Sequence, residues 1–142
     1  MKRTFSALLA AVLLMSCLGG YAAAATDSAR ASDYLALYGV SLTPGDTSGE
    51  IVIGYDVSAC MLYPTLIGVS KIEIYRDNGI KVGTVFGSLL NGLLISDCIT
   101  HDGDYSYKAS SGKSYYAVVT VYVSDENGHD SRDVTTRVVT AP

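Results

Sequence analysis

Tyr115-Tyr116-Ala117-Val118-Val119-Thr120-Val121-Tyr122-Val123 decides the fold class. Tyr115, Ala117, Val119, Val121 and Val123 recur at every second position, and β-branched and aromatic residues dominate. Period two with that composition is the signature of a half-buried β-strand, because successive side chains of an extended chain point to opposite faces. Ser110-Ser111-Gly112-Lys113 before the run and Asp125-Glu126-Asn127-Gly128 after it are turn sequences.

The same alternation recurs upstream. Ile51, Ile53, Tyr55 and Val57 share one face of a strand over 51–57, after a loop of Pro, Gly, Asp and Ser at 43–49. Over 70–76, Ile72 and Ile74 point inward and Lys71 and Glu73 outward. Asp77-Asn78-Gly79 follows at once. Asn-Gly supplies the positive φ angles of a tight hairpin, so 80–86 is read as the return strand. Shorter strands are expected over 38–42, 105–109 and 134–140. A helical turn capped by Ser32 is a weaker expectation over 32–38. The segment 87–96, with Leu89-Leu90 and Leu93-Leu94-Ile95 flanking Asn91-Gly92, fits a hairpin, a loop or one helical turn.

About seven strands with turns at short intervals, and no convincing helix between them, predict an all-β fold. The architecture expected is an antiparallel two-sheet sandwich with Tyr55, Ile72, Ile74, Tyr115, Val119 and Val121 buried. The chain has no Trp, which departs from the usual immunoglobulin domain, where one packs beside the disulfide.

The domain is expected to occupy 26–142. Residues 1–25 read as a signal peptide: Met1-Lys2-Arg3 is basic, 7–18 is apolar but short for a membrane span, and Ala22 to Ala25 are the small residues before a cleavage site. Leu14-Met15-Ser16-Cys17 offers a second route, since it resembles a bacterial lipobox in which Cys17 is acylated. The reading is thus a secreted protein, or alternatively a lipoprotein anchored at Cys17. Loss of the leader removes Lys2 and Arg3. Of 10 basic and 14 acidic residues, 8 and 14 remain, a net charge of −6. That balance opposes nucleic-acid binding and anionic membranes. Two cysteines remain, Cys60 and Cys98, and in an exported domain they are expected to form one disulfide. Both fall near strand ends, so the bond would staple loops and not bridge the sheets.

Gly112-Lys113-Ser114-Tyr115-Tyr116-Ala117-Val118-Val119-Thr120-Val121 resembles the Gly-x-x-Tyr-x-Val-x-Val signature that opens the sixth strand of fibronectin type III domains. The resemblance implies that Tyr115 hydrogen-bonds back to the preceding turn as a tyrosine corner. Ile51-x-Ile53-x-Tyr55 resembles the second strand of that fold, with Tyr55 in place of the usual Trp. The chain after its leader is also similar to short secreted proteins of gut Firmicutes, a family of unknown function, and that likeness brings no activity with it.

Chemistry is sparse. Asp102 and Asp104, with Asp97 nearby, raise the question of Ca²⁺, but three carboxylates fall short of the six or more oxygens a hard cation takes. His101-Asp102-Gly103-Asp104 reads as a solvated turn, and Asp125-Glu126-Asn127-Gly128-His129-Asp130 as a hairpin turn without the EF-hand register. His101 and His129 are the two imidazoles and lie in no nucleophile motif. No cofactor, metal or enzymatic activity is expected. The 11 tyrosines are the suggestive feature, since Tyr is an amphipathic contact residue in many recognition surfaces. An outward stripe of Tyr105, Tyr107, Tyr116 and Tyr122 is a candidate binding row. The function expected is a non-enzymatic extracellular protein-interaction or structural module; the alternative is a glycan-binding module using that stripe.

Overall fold

The computed structural model describes residues 32–142. The expected leader, residues 1–25, and Cys17 lie outside the described residues. Nine strands follow one another: β1 (Leu35–Pro44), β2 (Glu50–Ala59), β3 (Leu66–Arg76), β4 (Lys81–Phe86), β5 (Leu94–Ile95), β6 (Thr100–Lys108), β7 (Ser114–Ser124), β8 (His129–Thr135) and β9 (Val139–Thr140). Among the described residues there is no helix.

All pairings are antiparallel and they form two sheets. One has three strands in the order β1-β2-β6. The other has six, in the order β4-β3-β7-β8, with β5 beside β3 and β9 beside β7. The two sheets share one apolar interior, so the fold is sandwich-like. Leu42, Ile51, Ile53 and Tyr55 of the smaller sheet meet Val69, Ile72, Ile74, Tyr115, Ala117 and Val119 of the larger. A second cluster joins Leu35 and Val57 to Ile67, Val121 and Val123. Each of the six residues expected inside is buried.

Strand alternation explains the layers. Every odd position of β7 from Tyr115 to Val123 is buried, as the period-two pattern requires. The β3–β4 hairpin closes at Asn78-Gly79, where Gly79 has φ 82°.

Three expectations need correction, and one open segment is resolved. The turn over 32–38 is not helical: Ser32 Oγ does accept from the N–H groups of Tyr34 and Leu35, at 3.0 and 2.9 Å, but β1 begins at Leu35 because its whole length pairs with β2. The segment 87–96, left open between a hairpin, a loop and one helical turn, is a non-helical turn leading into β5. The strand expected over 134–140 starts earlier and is broken, because Thr136 turns inward. Its Oγ1 accepts from Ala117 N at 2.9 Å, taking the place of a ladder carbonyl. Last, His101-Asp102-Gly103-Asp104 is strand, not turn. Thr100 to Lys108 pair with Ser58 to Glu50 without a register shift, and that long partner outweighs the poor strand propensity of Asp and Gly.

Tyr115 is buried, and its hydroxyl oxygen accepts from Ser110 N at 3.0 Å. Tyr115→Phe deletes that bond and strands a backbone donor. The expected loss is about 1–2 kcal/mol, read as a lower urea midpoint at unchanged slope; an unchanged midpoint would show that the bond contributes nothing.

Candidate functional site

The four tyrosines of the expected stripe do not form a row. Tyr105 and Tyr107 occupy odd positions of β6, whose odd residues point into the sandwich, and both pack on the core cluster. Tyr107 passes under β4 and donates to Val82 O at 3.3 Å. Tyr116 and Tyr122 lie at even positions of β7, on the outer face of the other sheet. Those two are six residues apart, about 20 Å along a strand. The stripe fails because β6 pairs with β2 and not with β7.

Each outer tyrosine has an aromatic neighbour that was not singled out. Tyr116 stacks on Tyr75, with ring centroids 5.2 Å apart and planes 7° apart. Tyr122 stacks on His129, at 5.7 Å and 28°. Tyr75 continues the outward alternation of Lys71 and Glu73, so its face was readable; its partner depends on the β3–β7 register, which pairs Tyr75 with Tyr116. On the same face, Glu73 bridges Lys81 at 2.9 Å and Lys71 at 3.3 Å. Its hydrogen bonds to Lys81 and then Lys71 hold its carboxyl below the usual range.

The three carboxylates considered for Ca²⁺ divide between two places. Asp102 and Asp104 face outward on the three-stranded sheet. In register with them lie Gly39 and Asp56, then Ser41 and Gly54, so bare glycines leave a shallow groove of about 490 Å³ between carboxylates. Beneath it, burial and then the charges of Asp104 and Asp102 push the Tyr55 hydroxyl above its ordinary value. Asp97 is elsewhere. It lines a cleft of about 460 Å³ at one end of the sandwich, with Tyr63, Thr65, Ser96, Asp125, Glu126 and Asn127. Asp97 holds φ 57° there, the left-handed region, and its N–H donates to Pro64 O at 3.1 Å. Among the described residues no three His, Cys, Asp or Glu side chains are grouped to hold a metal ion.

The end of β4 and the turn that follows it present three exposed apolar side chains. Leu90 is 100% exposed, Phe86 71% and Leu89 60%. The turn is braced by side chains. Ser88 N donates to Asn91 Oδ1 (2.9 Å), Asn91 N to Ser88 Oγ (3.3 Å), and Asn91 Nδ2 to Phe86 O (2.8 Å). Its far end is pinned to the other sheet, where Gly92 O meets His101 Nε2 at 2.7 Å and accepts from Tyr55 OH at 3.3 Å. The role of His101 is therefore to anchor this loop. Sequence reasoning missed the site because two adjacent leucines in an undecided segment read equally well as core; Ser88 and the turn-forming pair Asn91-Gly92 were its local signals.

Cys60 and Cys98 are both exposed, as free thiols. Cys60 follows β2 and Cys98 precedes β6.

No family model matches the chain, and no curated protein does. By fold it is similar to the ApaA protein of Bordetella pertussis, at 10% identity and a TM-score of 0.53, over 78% of this chain and 97% of that one. That likeness is one of fold alone. Lower scores relate it to β-glucuronidase 3 of Bacteroides uniformis (TM-score 0.39, 12% identity, 75% of this chain) and to a family 76 glycoside hydrolase from a bovine Bacteroides thetaiotaomicron strain (0.41, 13%, 74%). The chain spans 12% and 20% of those two, and neither bears on what it does.

Proposed function

We propose that the chain is a secreted, non-enzymatic module of fibronectin type III-like architecture that binds an extracellular protein. The carrying observation is the end of β4 and the braced turn after it, which hold Phe86, Leu89 and Leu90 out in water. An apolar side chain on a floppy loop hides itself, or loses its conformational freedom on binding. Here the Ser88–Asn91 bonds and the Gly92 anchor fix the backbone beforehand, so little ordering entropy remains to be lost. A few residues that become fully buried in a partner's pocket carry most of the energy of a protein interface. The net charge of −6 after loss of the leader keeps such a surface soluble and away from nucleic acid.

The order of strands, three on one sheet and β4-β3-β7-β8 on the other, and the Tyr115 bond to Ser110 support the fibronectin type III-like reading. The glycan reading loses its basis, because two of its four rings are packed inside. Export rests on residues 1–25, and intact-mass analysis of the mature protein distinguishes a start at Thr26 from a diacylglyceryl Cys17.

The test is affinity capture from the secreted and cell-surface fractions of the source organism, with wild type, Leu89→Asp/Leu90→Asp, and Leu37→Asp. Leu37 is an exposed leucine on β1, away from the turn. The double variant is expected to lose a captured protein by at least about tenfold, the loss of one good apolar anchor, and Leu37→Asp to keep it. Equal capture by all three would reject the turn as the contact.

A further inference from the structure

We propose that Cys60 and Cys98 form a cross-strand disulfide within the three-stranded sheet, and that this bond locks together the two segments, 60–65 and 96–99, that line the acidic cleft at the end of the sandwich. The inference goes beyond the binding reading and does not depend on it.

The register carries the proposal. The β2–β6 ladder runs unbroken from Glu50↔Lys108 to Ser58↔Thr100. The bond from Ala59 N to Ile99 O, at 2.8 Å, extends it by one rung. One further step in the same register places Cys60 opposite Cys98. The type of rung follows from the bonds at the two ends. Ala109 N donates to Gly49 O and Ala59 N to Ile99 O, so odd positions of β2 sit in hydrogen-bonded pairs. Cys60 and Cys98 therefore fall on a non-hydrogen-bonded rung, where facing Cα atoms are about 4.5 Å apart. That lies inside the roughly 4.4–6.8 Å that a disulfide spans. Cys60 is also held in line by its own N–H, which donates to Tyr34 O at 2.8 Å. Both thiols are exposed and open to an oxidant. Spacing along the chain had suggested a staple between loops; the register makes it a rung of one sheet.

The consequence is mechanical. Cys60 is the root of the β2–β3 loop, which supplies Tyr63 and Thr65 to the cleft, and Cys98 follows Ser96 and Asp97, which line it too. The two segments already meet where Asp97 N donates to Pro64 O at 3.1 Å, and a bond between their roots holds them together. It forms by exchange with a small-molecule or enzyme-borne disulfide. One thiolate attacks a sulfur of that disulfide, the second thiolate displaces the mixed disulfide, and two electrons and two protons pass to the incoming disulfide, which leaves as two thiols.

The experiment uses mature protein incubated with glutathione disulfide. The expected product is a monomer lighter by about 2 Da, with no thiol to alkylate before reduction. Its tryptic map joins peptide 31–71 to peptide 82–108. Amide exchange over 60–65 and 96–99 is expected to slow by about tenfold or more on oxidation. Cys60→Ser/Cys98→Ser should exchange at the reduced rate in both conditions. Two alkylatable thiols after oxidation, a bond between molecules, or unchanged exchange in these segments would each overturn the proposal.

Discussion

Replacing Gly68 with alanine is expected to lower the melting temperature by roughly 15 °C, the shift for a loss of about 3–4 kcal/mol in a domain this size. Two costs combine at this position. Gly68 lies in β3 at φ 136°, a conformation that an L side chain adopts only under strain. Any Cβ there would also run into the Leu93 carbonyl oxygen and come within 2.7 Å of the His101 ring. The first obstacle is backbone, in a segment locked by the bond from Val69 N to Leu93 O at 2.7 Å, so it has no room to yield. Gly79→Ala is the control. Gly79 also has a positive φ, 82°, but a Cβ there meets nothing within 4 Å. Its cost is the dihedral alone, about 1–2 kcal/mol. Thermal melts followed by far-UV circular dichroism separate the two. If Gly68→Ala melts no lower than Gly79→Ala, the loop before β5 does not press on β3 as described.

What the sequence made legible, and what it did not, divides along a physical line. Alternation is local, so β2, β3 and β7 could be read with their buried faces, and Asn78-Gly79 fixed the hairpin because few other pairs accept positive φ. Sheet membership is not local. Tyr105 and Tyr107 share a face whichever sheet β6 joins, and nothing nearby says which face is inward. Their position follows from a neighbour far along the chain: Gly103, on the same face, is bare because Tyr55 fills its space, and a Cβ there would lie 2.8 Å from the Tyr55 hydroxyl. The start of β6 was hidden for the same reason, since Asp and Gly are poor strand formers that β2 holds in place. The apolar turn was undecided because hydrophobicity signals burial in most contexts, and only the packed fold reveals a leucine with nothing over it. The pairing proposed for Cys60 and Cys98 rests on the register of a ladder nine residues long on β6, which the sequence does not give.

Ile72→Ala is expected to destabilise the domain by about 2–5 kcal/mol, the range for emptying a well-packed aliphatic site. Ile72 lies on the central strand of the larger sheet, in register with Val85 on one side and Val119 on the other. It is fully buried against the smaller sheet. Strands hydrogen-bonded on both sides cannot shift to close a cavity without breaking two ladders, which favours the upper part of that range. Phe86 stands only one strand away, opposite Lys71 on the outer face. With so much of its ring already in water, Phe86→Ala should change stability by no more than about 0.5 kcal/mol. The two substitutions therefore separate what holds the fold from what the fold presents. Chemical denaturation should show a large fall for Ile72→Ala and almost none for Phe86→Ala, whereas capture of a partner should fall for Phe86→Ala in protein that is fully folded. A large loss of stability in Phe86→Ala would place its ring in the core and remove it from the binding surface. A capture signal indifferent to Phe86 would confine the contact to Leu89 and Leu90.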